Sequence, residues 1–299
     1  MSRGAHAVTC GAHEGRRLRA STVVTALVFL AGFCILFYPT FADLWNQARQ
    51  NSLMNDYEQA VEQASVEDNS AAWEAAKAYN VSLDPSFRDA FTGQDLDASD
   101  VYWSLLDPLG TGIMGYVQIP KIGVKLPIYH GTSESVLAHG LGHLSGTSLP
   151  TGGLGTHCVL SGHRGLPSAL LLTDLDQLVV GDRFTLTVMD QKMAYEVDQV
   201  LVVDPSDVSS LTVDANQDYV TLVTCTTYGV NTQRLLVRGH RVEWVDEPQV
   251  TVASQVSASL GWRWTLLLAL LAAGAVGIVV VLVRRKSERV KGAHVKCEK

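Results

Sequence analysis

The chain has 299 residues, long enough for one sizeable core with added elements or for two small domains. Hydrophobic residues make up 47% and the net charge is −7, which argues against a general nucleic-acid binder, because neutralising phosphates needs a basic face. Five cysteines, at 10, 34, 158, 225 and 297, form no Cys-x-x-Cys pair and no repeated spacing, which argues against a disulfide framework or a zinc ribbon.

Residues 1–21 read as a basic N-terminus, with Arg16, Arg17 and Arg19 just before an uncharged apolar stretch, 22–38. That stretch, TVVTALVFLAGFCILFY, is near the length a helix needs to cross about 30 Å of hydrocarbon. It reads as a transmembrane segment or signal anchor. The alternative is a cleaved signal peptide, because Thr40-Phe41-Ala42 loosely resembles a cleavage site. Residues 39–99 read as a helical extension. Ala, Glu, Gln and Asn dominate Asp43–Tyr79, and Leu53, Tyr57 and Val61 recur every four residues, so one or two helices are predicted there.

From about Gly115 short alternating apolar runs are punctuated by Gly, Pro and Asp, among them GYVQIPKIGVKLPIY, THCVLSGH, RFTLTVM, AYEVDQVLVV, DYVTLVTC and RLLVRGHRVEWV. Several short strands at roughly ten-residue spacing predict an antiparallel sandwich or barrel. Residues 100–244 form this domain and Asp107-Pro108 the turn entering it. A polar linker, 245–264, leads to a second apolar segment, 265–283, and a basic tail, 284–299, that opens with Arg284, Arg285 and Lys286. Trp262 and Trp264 sit where interfacial aromatics belong. With both basic clusters on the far sides of the apolar segments, both termini are expected in the cytoplasm and the middle of the chain outside.

Three side chains fall at strand ends. Cys225 closes the run Asp218–Cys225, Arg234 opens the next strand across a short Gly- and Asn-containing loop, and His163 closes His157–His163 before a turn. Two strands so joined are antiparallel neighbours, which puts Cys225 and Arg234 at one end of the sheet. A thiol becomes a good nucleophile as thiolate, an imidazole can act as acid or base, and a guanidinium offers fixed donors to an oxyanion. The ordinary roles of these types are a packed small hydrophobe, a structural imidazole and a solvated or paired charge. Composition alone does not choose between the two sets.

Thr221-Leu-Val-Thr-Cys225, followed nine residues later by Arg234, is similar to the signature of sortases, cell-wall cysteine transpeptidases of Gram-positive bacteria. Ser161-Gly-His163 resembles the segment carrying their catalytic histidine. The stretches GYVQIPKIGVKLPIYHGT, GHLSGTSLPTGG, SGHRGLPSALLLTDLDQL and TLVTCTTYGVNTQRLLVRGHRV most resemble the pilus-building class C, over about residues 100–243. The resemblance implies a closed eight-stranded β-barrel with an N-terminal helical extension, two flanking transmembrane helices and catalytic His163, Cys225 and Arg234. It also implies cleavage of an LPXTG-type sorting signal between Thr and Gly, through a thioacyl-enzyme, and transfer to a lysine amine of an exported pilin subunit. A lid of the Asp-Pro-aromatic type is implied at Asp84, Pro85 and Phe87, although here the aromatic comes one residue late.

No metal or organic cofactor is expected: His139-Gly-Leu-Gly-His143 and His157 lack a ligand pattern. Cys158, opposite in strand alternation to His157, Val159 and Ser161, is predicted to be a buried free thiol. Rival readings are a housekeeping sortase that anchors proteins to peptidoglycan and a catalytically silent membrane-bound binding barrel. A papain-like protease fits less well, because its nucleophile belongs on a helix and the residues before Cys225 read as a strand.

Overall fold

The computed structural model describes residues 20–83, 100–166, 169–226, 231–245 and 274. The second apolar segment, 265–283, and the lid residues Asp84, Pro85 and Phe87 lie outside the described residues. The chain divides into two compact units, Met1–Pro39 and Thr40–Lys299.

Helix α1 runs Ala20–Gln63, with Pro39 inside it. Within the first unit its large apolar side chains, among them Val24, Leu27, Val28, Phe29, Leu30, Ile35 and Leu36, are exposed. Length and composition make this helix a candidate membrane span. Within the second unit α1 behaves as an amphipathic helix. Met54, Tyr57 and Val61 are buried and Leu53 packs beside them, so the predicted four-residue spacing marks the face turned to the core.

The chain then reverses into α2 (Val66–Ser82), capped by Ser65, whose Oγ accepts from Asp68 N at 3.0 Å. Asn69 Nδ2 donates to Val61 O at 3.0 Å and so satisfies a carbonyl at the end of α1. Asn80 bonds three ways: Nδ2 donates to Leu149 O and Thr151 Oγ1, and Oδ1 accepts from Leu149 N. This pins α2 to the barrel.

A short helix α3 (Asp100–Ser104) leads to the turn before the sheet. Asp107 accepts there from Thr111 N at 3.0 Å and Gly112 N at 2.7 Å, an Asp-Pro turn as the sequence predicts. The strands are β1 (Ile113–Ile119), β2 (Val124–His130), β3 (Leu141–His143), β4 (Thr156–Ser161), β5 (Arg183–Val188), β6 (Gln191–Val203), β7 (Asp218–Thr226) and β8 (Gln233–Val242). Between β2 and β3 lies one helical turn, α4 (Glu134–Leu137).

The strands close into a barrel in the order β1-β2-β3-β4-β7-β8-β6-β5. The predicted closed eight-stranded barrel with a helical extension is therefore present. The expected purely antiparallel pairing is not, because β2 pairs with β3, and β4 with β7, in parallel. Parallel neighbours need a crossover, and long connections hide such pairings from local pattern. Leu160, Leu222, Val237 and Phe184 fill the interior, while Leu144, Val159, Leu211, Val223 and Leu236 form a second cluster on the other face of the same strands.

Candidate active site

Strand alternation separates two faces of β4, β7 and β8. Leu222 opposes Val237 in the barrel interior, and Val223 opposes Leu236 in the second cluster. Two residues on, Cys225 opposes Arg234, so this pair shares the outer face with Val223 and Leu236. Both side chains are half-buried, and the Cys225 thiol is free. The Arg234 guanidinium hangs over its own loop, with Nη1 donating to Asn231 O at 3.4 Å and Gln233 O at 3.3 Å.

His163 reaches the same end of the barrel from β4. Ser161 is in register with Val223, and His163 lies two residues past Ser161 as Cys225 lies two past Val223. Gly162, between them, donates from N to Val223 O at 2.9 Å, and Thr224 Oγ1 donates to Gly162 O at 2.8 Å. A Cβ at Gly162 would lie 2.5 Å from Leu141 Cδ2 and 2.9 Å from Leu172 Cδ1, so any larger residue there would push both leucines aside. The far side of the turn is tied by Leu172 N donating to His163 O at 3.2 Å. His163 Nε2 is 3.4 Å from Glu134 Oε1 on α4, in a geometry that makes no hydrogen bond.

The fold thus brings the strand ends carrying Cys225, Arg234 and His163 together. Sequence reading missed Glu134, Thr224 and Arg164. Arg164 follows His163 directly, and its Nη1 donates to Thr226 Oγ1 while Nη2 meets Asp176 Oδ2. Its position after the histidine was visible, but its partners 62 and 12 residues away were not.

Among the described residues His157, His143 and His130 take structural places. His157 is held by Thr212 O at 3.0 Å and Thr221 Oγ1 at 2.7 Å, and burial lowers its pKa. His143 is wholly buried and bonds to Tyr102, Ser148 and Thr147. His130 stacks edge-on against Tyr102, with Nδ1 3.1 Å from Gly112 O. Among the described residues no three His, Cys, Asp or Glu side chains are grouped to hold a metal ion. Cys158 is buried and free, as alternation predicts, and burial raises its thiol pKa. Two cavities, of about 230 and 40 Å³, lie beneath α1, and neither is lined by Cys225, His163 or Arg234.

The family model of the sortase domain matches residues 117–242. Sortase D of Bacillus subtilis (strain 168) is 30% identical over 131 residues, which cover 43% of this chain and 63% of that protein. The crystal structure of Streptococcus pneumoniae sortase C is 40% identical with a TM-score of 0.60, and the match covers 66% of this chain and all of that one. The chain belongs to the sortase family. Sortase C1 from Streptococcus agalactiae is 46% identical with a TM-score of 0.59, covering 65% of this sortase and all of that chain. Sortases are cysteine transpeptidases, so this sortase is an enzyme of that type with class C structural neighbours. The family match begins within β1 and runs to the end of β8.

Proposed function

We propose that this sortase polymerises pilin subunits, with Cys225 as nucleophile, His163 as acid/base and Arg234 as the oxyanion donor. The observation that supports the reading most is the opposition of Cys225 and Arg234 on one face, beside the chain turn that carries His163. The substrate class follows the S. pneumoniae sortase C, which is described with a pilin substrate specificity.

In this reading Cys225 Sγ attacks the threonine carbonyl carbon of a Leu-Pro-x-Thr-Gly segment. The C–O double bond opens to an oxyanion that the fixed guanidinium fork of Arg234 stabilises. The tetrahedral species collapses, the Thr–Gly C–N bond breaks, and the departing glycine amine takes a proton from His163. A thioester to Cys225 remains. A lysine amine of the next subunit attacks it, gives a proton back to His163 and expels the Cys225 thiolate, leaving an isopeptide bond. Each proton lent is returned, so the cycle needs no metal, organic cofactor or redox partner.

The same proposal places Asp84, Pro85 and Phe87 as a lid over this face. It holds residues 22–38 of α1 and the segment 265–283 in the membrane, the barrel outside and both termini in the cytoplasm. Residues 1–21, 39–99, 100–244, 245–264 and 284–299 are then the N-terminal tail, helical extension, catalytic domain, linker and C-terminal tail.

The test is incubation of the full-length enzyme in detergent with a pilin subunit bearing its sorting signal, read by denaturing gel and mass spectrometry. Wild type is expected to give a ladder of isopeptide-linked subunits, and Cys225→Ala none. Asp84→Ala is expected to start the ladder faster, and an unchanged initial rate removes the lid from the proposal. Cleavage without a ladder would move the assignment to a peptidoglycan-anchoring sortase. No cleavage and no thioacyl adduct would favour a silent binding barrel.

A further inference from the structure

We propose that Arg164 is a positioning residue that sets His163 against Cys225, so that its loss lowers turnover rather than substrate affinity. The inference rests on the assignment of Cys225 as nucleophile and His163 as acid/base.

The two strand ends are linked on both sides of those residues. On one side Gly162, which precedes His163, exchanges hydrogen bonds with β7: its N donates to Val223 O, and its O accepts from Thr224 Oγ1, which precedes Cys225. On the other side Arg164, which follows His163, donates from Nη1 to Oγ1 of Thr226, which follows Cys225, at 3.3 Å. His163 and Cys225 therefore sit inside a frame whose four corners are their own chain neighbours. Arg164 forms one whole side of it.

That side is braced. Arg164 Nη2 lies 2.5 Å from Asp176 Oδ2, and the arginine side chain is only 9% exposed against 50% for the aspartate. Asp176 belongs to a single turn of 3-10 helix, Leu175–Gln177, whose Leu175 is fully buried in the barrel core. The turn is tied back to His163, because Leu175 N donates to Leu172 O and Leu172 N donates to His163 O. The guanidinium spans the strand end and the braced turn at once, which a planar fork can do and a lysine ammonium, as a single point, cannot. Proton transfer between sulfur, leaving amine and imidazole needs heavy atoms within hydrogen-bond reach, and a displacement of about 1 Å can cost on the order of a hundredfold in rate. Without Arg164 the Gly162 bonds and the Leu172–His163 bond remain, but the link from the chain after His163 to Thr226 beside Cys225 is lost.

The test is steady-state cleavage of a Leu-Pro-x-Thr-Gly peptide by the full chain in detergent. Arg164→Ala is expected to lower kcat at least about tenfold with KM within about twofold. Arg164→Lys should recover little of the loss. Asp176→Asn, at a half-exposed position that leaves the His163 turn unaltered in sequence, should lower kcat about threefold or more. Combined with Arg164→Ala it should add nothing further, because both act through one link. Wild-type kcat in both single variants would overturn the proposal, as would a loss carried by KM alone or full additivity in the double variant. If Arg164→Ala does not fold, Asp176→Asn and Arg164→Lys decide the matter by the same criteria. Turnover retained by Cys225→Ala would instead overturn the nucleophile assignment, whatever the Arg164 variants do.

Discussion

His143 is enclosed by polar neighbours that fix its protonation. Its Nε2 is 2.9 Å from Ser148 O, which can only accept, so that nitrogen carries the proton and Nδ1 accepts from the Tyr102 hydroxyl at 2.9 Å. Burial lowers its pKa from 6.5 to about 4. The folded form therefore resists a proton that the unfolded chain takes up below pH 6.5. The resulting stability is fully present above pH 6.5 and is lost as pH falls through the folded value near 4. The whole window corresponds to on the order of 3 kcal/mol, of which about 2 kcal/mol is gone by about pH 5. Burial shifts His130 and His157 the same way, whereas it raises the Asp218 carboxyl, which acts in the opposite sense. Urea unfolding is expected to show a steep fall in stability between about pH 7 and about pH 5 that becomes shallower in His143→Gln. An identical slope in the two proteins would sink the assignment to His143. At this scale the sequence was generous with Cys225 and Arg234, because a hairpin fixes its own register. It hid Arg164 and Glu134, whose partners come from other elements.

Between elements the decisive contacts are few and specific. Tyr57, on α1, donates from its hydroxyl to Met114 O on β1 at 2.6 Å and accepts from Met189 N, in the β5–β6 turn, at 2.7 Å. One side chain thus fastens a helix to two parts of the barrel, and burial raises its pKa so that it stays a neutral phenol. Tyr57→Phe keeps the ring in the core but removes both hydrogen bonds, leaving Met189 N without this acceptor. The expected cost is about 1–3 kcal/mol, read as a lower urea midpoint with an unchanged slope. An unchanged midpoint would mean that water replaces both bonds. The four-residue spacing of Leu53, Tyr57 and Val61 announced which face of α1 is buried, since that period belongs to the helix itself. No comparable local signal announced that β4 runs parallel to β7. Yet that pairing lets the chain after β4 arrive beside the end of β7, and so places His163 at the level of Cys225.

At the scale of the whole molecule the testable part of the proposal is membrane anchoring by residues 22–38 and 265–283. Val24, Leu27, Val28, Phe29, Leu30, Ile35, Leu36 and Tyr38 are all exposed on α1. Moving each from water into hydrocarbon is worth about 1.5–3 kcal/mol, so together they favour the bilayer by more than about 10 kcal/mol. The barrel domain has its own core and does not depend on that burial. A chain cut to residues 40–245 is therefore expected in the soluble fraction, with the urea midpoint that the full chain shows in detergent. The two apolar segments can then be tested one at a time. A chain of residues 40–299 keeps only 265–283, and one of residues 1–245 keeps only 22–38. If both segments span the membrane, each of these chains sediments with membranes and is released by detergent but not by alkaline carbonate. Should residues 40–299 be soluble, the second anchor falls and the enzyme hangs from α1 alone. Should residues 1–245 be soluble with an intact start, the apolar face of α1 needs another cover. Should they be soluble because the chain now begins near Ala42, the first segment is a cleaved signal, and the anchor is the one at the other end.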